Sequence, residues 1–289
     1  RGVELGELVG DFIVAMREDD GSATPMAYAP GTGPGKYQYV PPFDGFVNRP
    51  EWRTVQPWVL ASPQQLRSAP PPALTSAAYA TAYDEVRISG AKASSERTAE
   101  ETRYARFWYE NSDTGWNRVT RAVVESERAG LHEAARAFAL VNLAMADGFI
   151  AGWDAKFHYD LWRPYTAIRG GETDGNAATP GDAQWEPLLA TPPVQDYPST
   201  HSVLGAGAAT ALAAVFGDDT RFTITSSTAE QPGVETRTFA RFSEAAAENG
   251  DSRVQAGIHF RFAVDAGLAM GRQIGERATV GYLLPLDEH

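Results

Sequence analysis

Helical spacing is strongest in residues 117–158, which read NRVTRAVVESERAGLHEAARAFALVNLAMADGFIAGWDAKFH. Alanine and leucine recur there at the three- and four-residue intervals of a helix that covers a core. Gly130 interrupts the run, so we expect either one long helix or two helices that break near this glycine. Because Pro164 cannot continue a helix, the helical segment is expected to end at Arg163.

Further segments on both sides of this stretch also have helical spacing. Thr98 and Glu101 have the form of a capping box, and Gly217 is a typical residue for a helix C-terminus. The expected helices span residues 4–17, 76–89, 98–108, 200–216, 237–248 and 259–278. Residues 221–233 favour a short hairpin. With so few strands expected, the sequence predicts a mainly α fold, a helical bundle with long Pro/Gly-rich loops.

The N-terminal quarter differs from the rest in composition. After the first expected helix the chain is rich in proline and glycine as far as residue 72, yet it keeps many aromatic residues, including Trp52 and Trp58. A disordered linker would not need them, so we expect an ordered loop wrapped on the body. The predicted organisation is an N-terminal helix and wrapping loop (1–72) and a helical-bundle domain (73–289) in one compact unit.

Composition excludes several classes of function. The 289 residues carry a net charge of −12, which argues against a nucleic-acid partner or a polybasic membrane-surface protein. The absence of cysteine excludes disulfides, zinc–thiolate sites, iron–sulfur clusters and thiol nucleophiles. No membrane-spanning helix is expected. Because the chain opens at Arg1, we expect a soluble, trimmed product, compatible with secretion. The oligomeric state stays open, a homo-oligomer included.

Three short motifs in the second half carry the candidate chemistry. They are KFHYDLWRP (156–164), YPSTH (197–201), and SR (252–253) with a histidine six residues after the arginine. Together they supply three cations, a hydroxyl at an expected helix start and two imidazoles. This set suits a tetrahedral or trigonal-bipyramidal oxyanion.

Each motif also has an ordinary interpretation. Lys156 and Arg163 would share a helix face about 10 Å apart, as an anion clamp or as solvated charges. Ser199 and Thr200 suit an N-cap as well as an anion site at a helix start, where His201 should have a lowered pKa.

The third motif needs a helix break before it can form a site. Arg253 and His259 would point about 240° apart on a continuous helix, so they converge only if the chain breaks, for which Gly257 is the candidate. Without that break, a surface arginine and a core histidine are the simpler interpretation.

The order and spacing of the motifs resemble the vanadium-dependent haloperoxidases and the type 2 phosphatidic acid phosphatase superfamily that includes them. That superfamily reads Lys-x6-Arg-Pro, then Pro-Ser-Gly-His, then Ser-Arg-x5-His. The flanking sequence from about Pro72 onward looks like the soluble bacterial haloperoxidase branch. The resemblance implies a helical bundle of that type.

By this resemblance, vanadate, or phosphate in the same place, is held by Lys156, Arg163, Ser199, Thr200, Arg253 and His259. His259 would be the vanadium ligand, His201 the acid–base, and Lys156 would polarise peroxide. Hydrogen peroxide would then oxidise halide to a hypohalite-like species that reaches a small organic acceptor. Trp153 and Val194 would line the pocket. Two alternatives use the same residues: a soluble acid phosphatase working through a phosphohistidine at His259, and an inactive oxyanion-binding homologue.

Three positions depart from the family pattern. Thr200 replaces a glycine, so its backbone must avoid a glycine-only conformation. Ala263 stands where the family has an aspartate that orients His259, and Asp265 lies about 200° away on a helix. Val194 stands where chloroperoxidase-type relatives carry phenylalanine and bromoperoxidase-type relatives histidine, so halide preference is not readable.

Overall fold

A computed structural model describes residues 1–228 and 236–284, which form a bundle of α-helices with one small sheet. The helices are α1 (Gly2–Met16), α2 (Ala77–Ser89), α3 (Ala99–Phe107), α4 (Ser112–Ser126), α5 (Leu131–Tyr159), α6 (Pro164–Arg169), α7 (Thr200–Phe216), α8 (Phe242–Gln255) and α9 (Arg261–Gly281). The strands are β1 (Phe222–Thr225) and β2 (Thr236–Phe239), paired antiparallel. The prediction of a mainly α bundle is confirmed. The capping box of Thr98 and Glu101 is present at the start of α3.

The long helical stretch breaks once, at Gly130, which is the N-cap of α5. Its expected end at Arg163 is wrong. α5 ends at Tyr159 because Asp160 takes a left-handed backbone conformation, with φ 53°. Arg163 instead precedes α6, whose first residue is Pro164, a position that proline favours. Lys156 and Arg163 therefore do not share a helix, and a short non-helical turn brings the arginine back toward the lysine.

α7 lies at the centre and packs against α5, α8 and α9. Glycines let α9 come very close to it. A Cβ added at Gly271 would lie 2.1 Å from the carbonyl oxygen of Val203, and one at Gly267 would lie 2.4 Å from that of Ser199. Real Cβ atoms cannot approach so closely. This backbone contact brings the beginning of α9 next to the beginning of α7, where two of the three motifs meet.

The break between α8 and α9 is confirmed at Gly257, which has a φ of +78°. A Cβ there would lie 2.3 Å from the carbonyl oxygen of Gly90, so glycine is required both for its backbone conformation and for space. α9 begins at Arg261, two residues later than expected. His259 therefore lies in the turn between the two helices, where it can point toward Arg163.

The helix expected over residues 237–248 is wrong in its first part. Residues 236–239 form β2, in which Phe239 is buried and pairs with Phe222 of β1. Alternate burial is the pattern of a strand. Of the hairpin predicted over residues 221–233, the first strand is confirmed, while residues 229–233 lie outside the described residues.

The N-terminal segment is held to α5 by buried carboxylates. The side chain of Asp147 accepts backbone N–H bonds from Trp58, Val59 and Leu60 at 2.6, 2.8 and 2.8 Å. Farther along α5, Asp154 pairs with Arg67 at 2.7 Å. α1 forms where expected, but its apolar side chains are exposed. The division at residue 72 stays a prediction.

α5 is also the one helix in the described ranges that is long and apolar enough to cross a membrane. The sequence was expected to contain no such segment. Half of its apolar window is buried inside the protein, where it packs against α4, α7 and α9. The core of the bundle therefore accounts for its apolar composition.

Candidate oxyanion site

The three motifs converge on one cavity of about 320 Å³ between α5, α7 and the turn before α9. Its lining includes Trp153, Lys156, Arg163, Val194, Thr200, His201, Arg253 and His259. Ser199 is wholly buried and does not line the cavity. The structure thus brings together all but one of the residues singled out from the sequence, while their chemical roles stay predictions.

Three buried cations surround this cavity. The exposed fractions of Lys156, Arg163 and Arg253 are 1%, 1% and 0%. One buried carboxylate in the described part of the chain, that of Asp196, lies against them, with Oδ1 3.7 Å from Nη1 of Arg163. Charged groups are costly to bury unless they are paired. The cluster therefore has an excess of positive charge that an anion would neutralise.

Hydrogen bonds to backbone carbonyls orient Lys156 and Arg163. Lys156 Nζ donates to the carbonyl oxygens of Gln195 and Asp196 at 2.6 and 3.1 Å. Arg163 donates to the carbonyl oxygens of Val194 and Ile258, both at 2.6 Å. These bonds fix the direction of each side chain without neutralising its charge.

Arg253 is held less completely. Its Nη1 donates to the carbonyl oxygen of Trp108 at 3.2 Å, and its Nε has no partner among the residues described. The Tyr109 ring lies 5.7 Å from the guanidinium and lines the cavity beside it. Arg253 thus keeps donor capacity for a ligand.

Burial and mutual repulsion shift the protonation of the cations. Burial, followed by Arg163, lowers the pKa of Lys156 well below its ordinary value. Burial also lowers the pKa of Arg253, to about 9. The arginine therefore stays charged at pH 7, and the lysine holds its proton less tightly than an exposed lysine does.

The start of α7 offers unused hydrogen-bond donors. Ser199, its N-cap, makes no side-chain cap bond; its N–H donates to the carbonyl of Ala263 at 2.8 Å. The N–H groups of the first turn point out of the helix end, where its dipole favours an anion. Thr200 Oγ1 is buried and has no partner within the described ranges. Thr200 has ordinary helical backbone and packs against Gly152, so no glycine-only conformation is needed here.

His201 is held in one tautomer by a backbone carbonyl. Its Nε2 lies 3.0 Å from the carbonyl oxygen of Glu110. A carbonyl can only accept, so Nε2 carries the proton and Nδ1 keeps its lone pair. Burial, then the charge of Arg253, lowers the pKa of His201 well below its ordinary value. The imidazole is therefore neutral near pH 7 and can accept a proton.

His259 lies between a guanidinium and a carboxylate. Its Nε2 is 2.9 Å from Nη1 of Arg163, and its Nδ1 is 2.9 Å from Oδ1 of Asp196. Burial raises the pKa of Asp196 to about 7, against the opposing charges of Arg163 and Lys156. Sequence reasoning missed this carboxylate. The available signal was an acidic residue directly before the YPSTH motif.

The other acidic candidate near His259 is not part of the site. Asp265 is exposed and lies near Arg261 and Glu85, on another side of α9. The poor placement expected for it from helix geometry agrees with this position. Ala263, by contrast, is wholly buried and lies against Ser199.

The N-terminal segment contributes wall residues that no motif indicated. Phe43 and Asn48 line the cavity, and the carbonyl oxygen of Asn48 accepts the indole N–H of Trp153 at 3.0 Å. Their sequence neighbourhood carries no pattern that could have identified them.

Anion binding should be coupled to proton uptake at Lys156. An anion offsets the charges that depress the pKa of this lysine, so the complex binds more protons than the free protein, and affinity falls as pH rises. Calorimetric titration with sulfate near pH 8, in buffers of different ionisation enthalpy, should show net proton uptake. Lys156→Met should remove most of this uptake. Heats that do not depend on the buffer would contradict the expectation.

Residues 136–282, slightly more than half of the chain, match the family described as VCPO second helical-bundle domain. The chain is 27% identical over 256 residues to vanadium chloroperoxidase from Curvularia inaequalis. That match takes in 70% of this chain but 41% of the relative, so the chain spans well under half of the relative's length.

Solved structures show the same architecture. The crystal structure of the first bacterial vanadium-dependent iodoperoxidase superposes with a TM-score of 0.81 at 30% identity, covering 94% of this chain and 67% of that one. An apo-type bacterial vanadium-dependent chloroperoxidase superposes with a TM-score of 0.77 at 19% identity, covering 94% and 72%. The second likeness bears on the fold alone.

Proposed function

This chain belongs to the family of the VCPO second helical-bundle domain, and from that membership we propose that it is a vanadate-dependent haloperoxidase that oxidises halide with hydrogen peroxide. The observation that carries the proposal is the excess of buried positive charge. Three cations face one buried carboxylate, and the Nε2 edge of a histidine faces them. Such a set is suited to an oxyanion that also needs a nitrogen ligand.

The residues present fit vanadate. Arg253 Nε and Thr200 Oγ1 are buried polar atoms without partners in the described part of the protein, and both belong to residues that line the cavity. We propose that the oxygens are held by Lys156, Arg163, Arg253, the amide of Thr200 and, once it turns toward the cavity that it does not line in the free protein, the hydroxyl of Ser199. That hydroxyl accepts from Ser202 at 2.9 Å, which leaves its own proton to donate. His259 Nε2 would be the vanadium ligand.

Bound vanadate would supply a Lewis-acidic centre that activates hydrogen peroxide toward halide. His201 Nδ1 would take up and return a proton at this site, because Glu110 fixes the proton of the other ring nitrogen. Lys156 would donate to an oxygen as negative charge develops there, while two of its protons stay on carbonyls. Trp153 and Val194 would form apolar walls for the halide and for a small organic acceptor.

A phosphomonoesterase is the second candidate because the same lone pair could serve as a nucleophile. His259 Nε2 would attack phosphorus as the bond to the alcohol oxygen breaks, and His201 Nδ1, having taken a proton from the incoming monoester, would pass it to that leaving oxygen. Phosphate and vanadate are tetrahedral oxyanions of nearly the same shape, so the cationic clamp suits either one. An inactive anion-binding protein would use the clamp without either histidine reaction.

The assay that separates these functions uses the protein loaded with vanadate. We expect oxidation of iodide or bromide by hydrogen peroxide, inhibited by phosphate because the two anions share Lys156, Arg163 and Arg253. Absence of halide-dependent turnover at full vanadate occupancy would reject the peroxidase proposal. Hydrolysis of p-nitrophenyl phosphate by vanadate-free protein would support the phosphatase, and neither activity, with anion binding intact, would leave a binding protein.

A further inference from the structure

Two neighbours constrain His259 from opposite sides. A guanidinium nitrogen of Arg163 lies 2.9 Å from Nε2 and has protons but no lone pair to offer. Nε2 can meet it favourably only as an acceptor, which places the single proton of a neutral imidazole on Nδ1. That nitrogen lies 2.9 Å from Oδ1 of Asp196. A carboxylate oxygen is an acceptor, so both contacts favour the same tautomer.

Asp196 is held firmly in this position. Its backbone N–H donates to the carbonyl of Leu161 at 3.0 Å, and its own carbonyl accepts from Lys156 at 3.1 Å. The side chain is wholly buried, and the backbone N–H of Phe260, next to His259, also lies against its carboxylate. The distance between Oδ1 of Asp196 and Nδ1 of His259 is short, but the two groups are not aligned as in a regular hydrogen bond. Asp196 therefore acts on the imidazole through its position and its negative charge.

We infer that Asp196 is a positioning residue that keeps the proton of His259 on Nδ1, so that the Nε2 lone pair, which accepts from Arg163 in the anion-free protein, can bind the vanadium of a bound oxyanion. No other acidic side chain in the described ranges forms an ion pair with this histidine. Position 263, four residues after it, is alanine. Partners of this kind fix the tautomer and ring orientation of metal-binding histidines.

The inference rests on the proposed function only in that it takes His259 as the vanadium ligand. The tautomer of His259 can be observed in vanadate-free protein, so this part of the test does not depend on turnover. Failure to oxidise halide would reject the proposed function and leave this result unchanged.

The test combines ring ¹⁵N NMR of vanadate-free protein with vanadate binding. Long-range ¹H–¹⁵N spectra, with His259 assigned through a His259→Gln variant, should show the Nδ1–H tautomer in the unmodified protein. In Asp196→Ala, the Nε2–H form should appear, and vanadate, which needs the Nε2 lone pair, should bind roughly 10- to 100-fold more weakly. Asp154→Ala is the matched control, because it removes a buried carboxylate of α5 that lies outside the cavity lining and pairs with Arg67 instead.

Two results would overturn the inference. One is an Nε2–H tautomer at His259 in the unmodified protein, which can be read even if the alanine variant does not fold. The other is an unchanged tautomer in Asp196→Ala, whether vanadate affinity is unchanged or falls only as far as in the Asp154→Ala control.

Discussion

Replacing His201 with alanine should lower peroxide-dependent halide oxidation about 10²- to 10⁴-fold while most of the oxyanion affinity remains. The imidazole is neutral because it is buried near Arg253, and its proton lies on the nitrogen that faces Glu110. It therefore adds no fixed charge to the clamp, and its loss removes a proton carrier rather than a binding group.

His259→Ala, in contrast, should mainly reduce the affinity for vanadate. It removes the nitrogen that lies beside Arg163 at the cavity, so vanadate affinity should fall by more than the roughly 10- to 100-fold seen when an outer partner of a metal ligand is lost. Vanadate titration of both variants, followed by turnover at saturating vanadate, separates the two effects. Equal losses of affinity in the two variants would contradict the assignment of separate roles.

Arg253→Met should stabilise the oxyanion-free protein and yet weaken oxyanion binding. The guanidinium is wholly buried, lacks a carboxylate partner within the described ranges, and leaves Nε unsatisfied. Burying an unpaired ion costs several kcal/mol even after relaxation, and methionine of similar length removes that cost. Removing one buried charged partner of an anion should weaken binding by about 2–5 kcal/mol.

Thermal unfolding with and without phosphate tests both expected changes, the higher stability of the oxyanion-free protein and the weaker oxyanion binding. The unfolding temperature of Arg253→Met should rise in phosphate-free buffer and gain little on addition of phosphate. Arg261→Met is the matched control. Its guanidinium is paired with Glu85 at 2.6 Å and with Asp251, so its removal leaves two carboxylates facing each other and should lower stability. A fall in the unfolding temperature of Arg253→Met equal to that of the control would show that the cation in the cavity is already neutralised by the protein.

The helices were predictable because apolar spacing and capping chemistry are local. The break at Gly257 followed from the need to bring Arg253 and His259 together, and its φ of +78° agrees. The end of α5 was missed because Asp160, which is not glycine, takes the left-handed conformation, and Pro164 begins a helix as readily as it stops one. The start of α8 was missed because strand pairing with residues 222–225 overrides local helix preference.

Asp196 could not be assigned from sequence for a different reason. Its carboxylate acts on a histidine 63 positions further along the chain, and only the close packing of α9 on α7 brings the two segments together. Periodicity reports which face of a helix is apolar, but it does not report which distant loop comes to lie against that face. The lining residues Phe43 and Asn48 were hidden for the same reason.

The three amide bonds from residues 58–60 to Asp147 have a consequence for how the protein could be shortened. A fragment beginning after them would still contain every signature of its family, and a motif search would score it as complete. It would nonetheless have lost Phe43 and Asn48, which form one wall of the cavity. Water would then reach the charged groups and screen them, so the clamp would hold its anion with a fraction of its original strength.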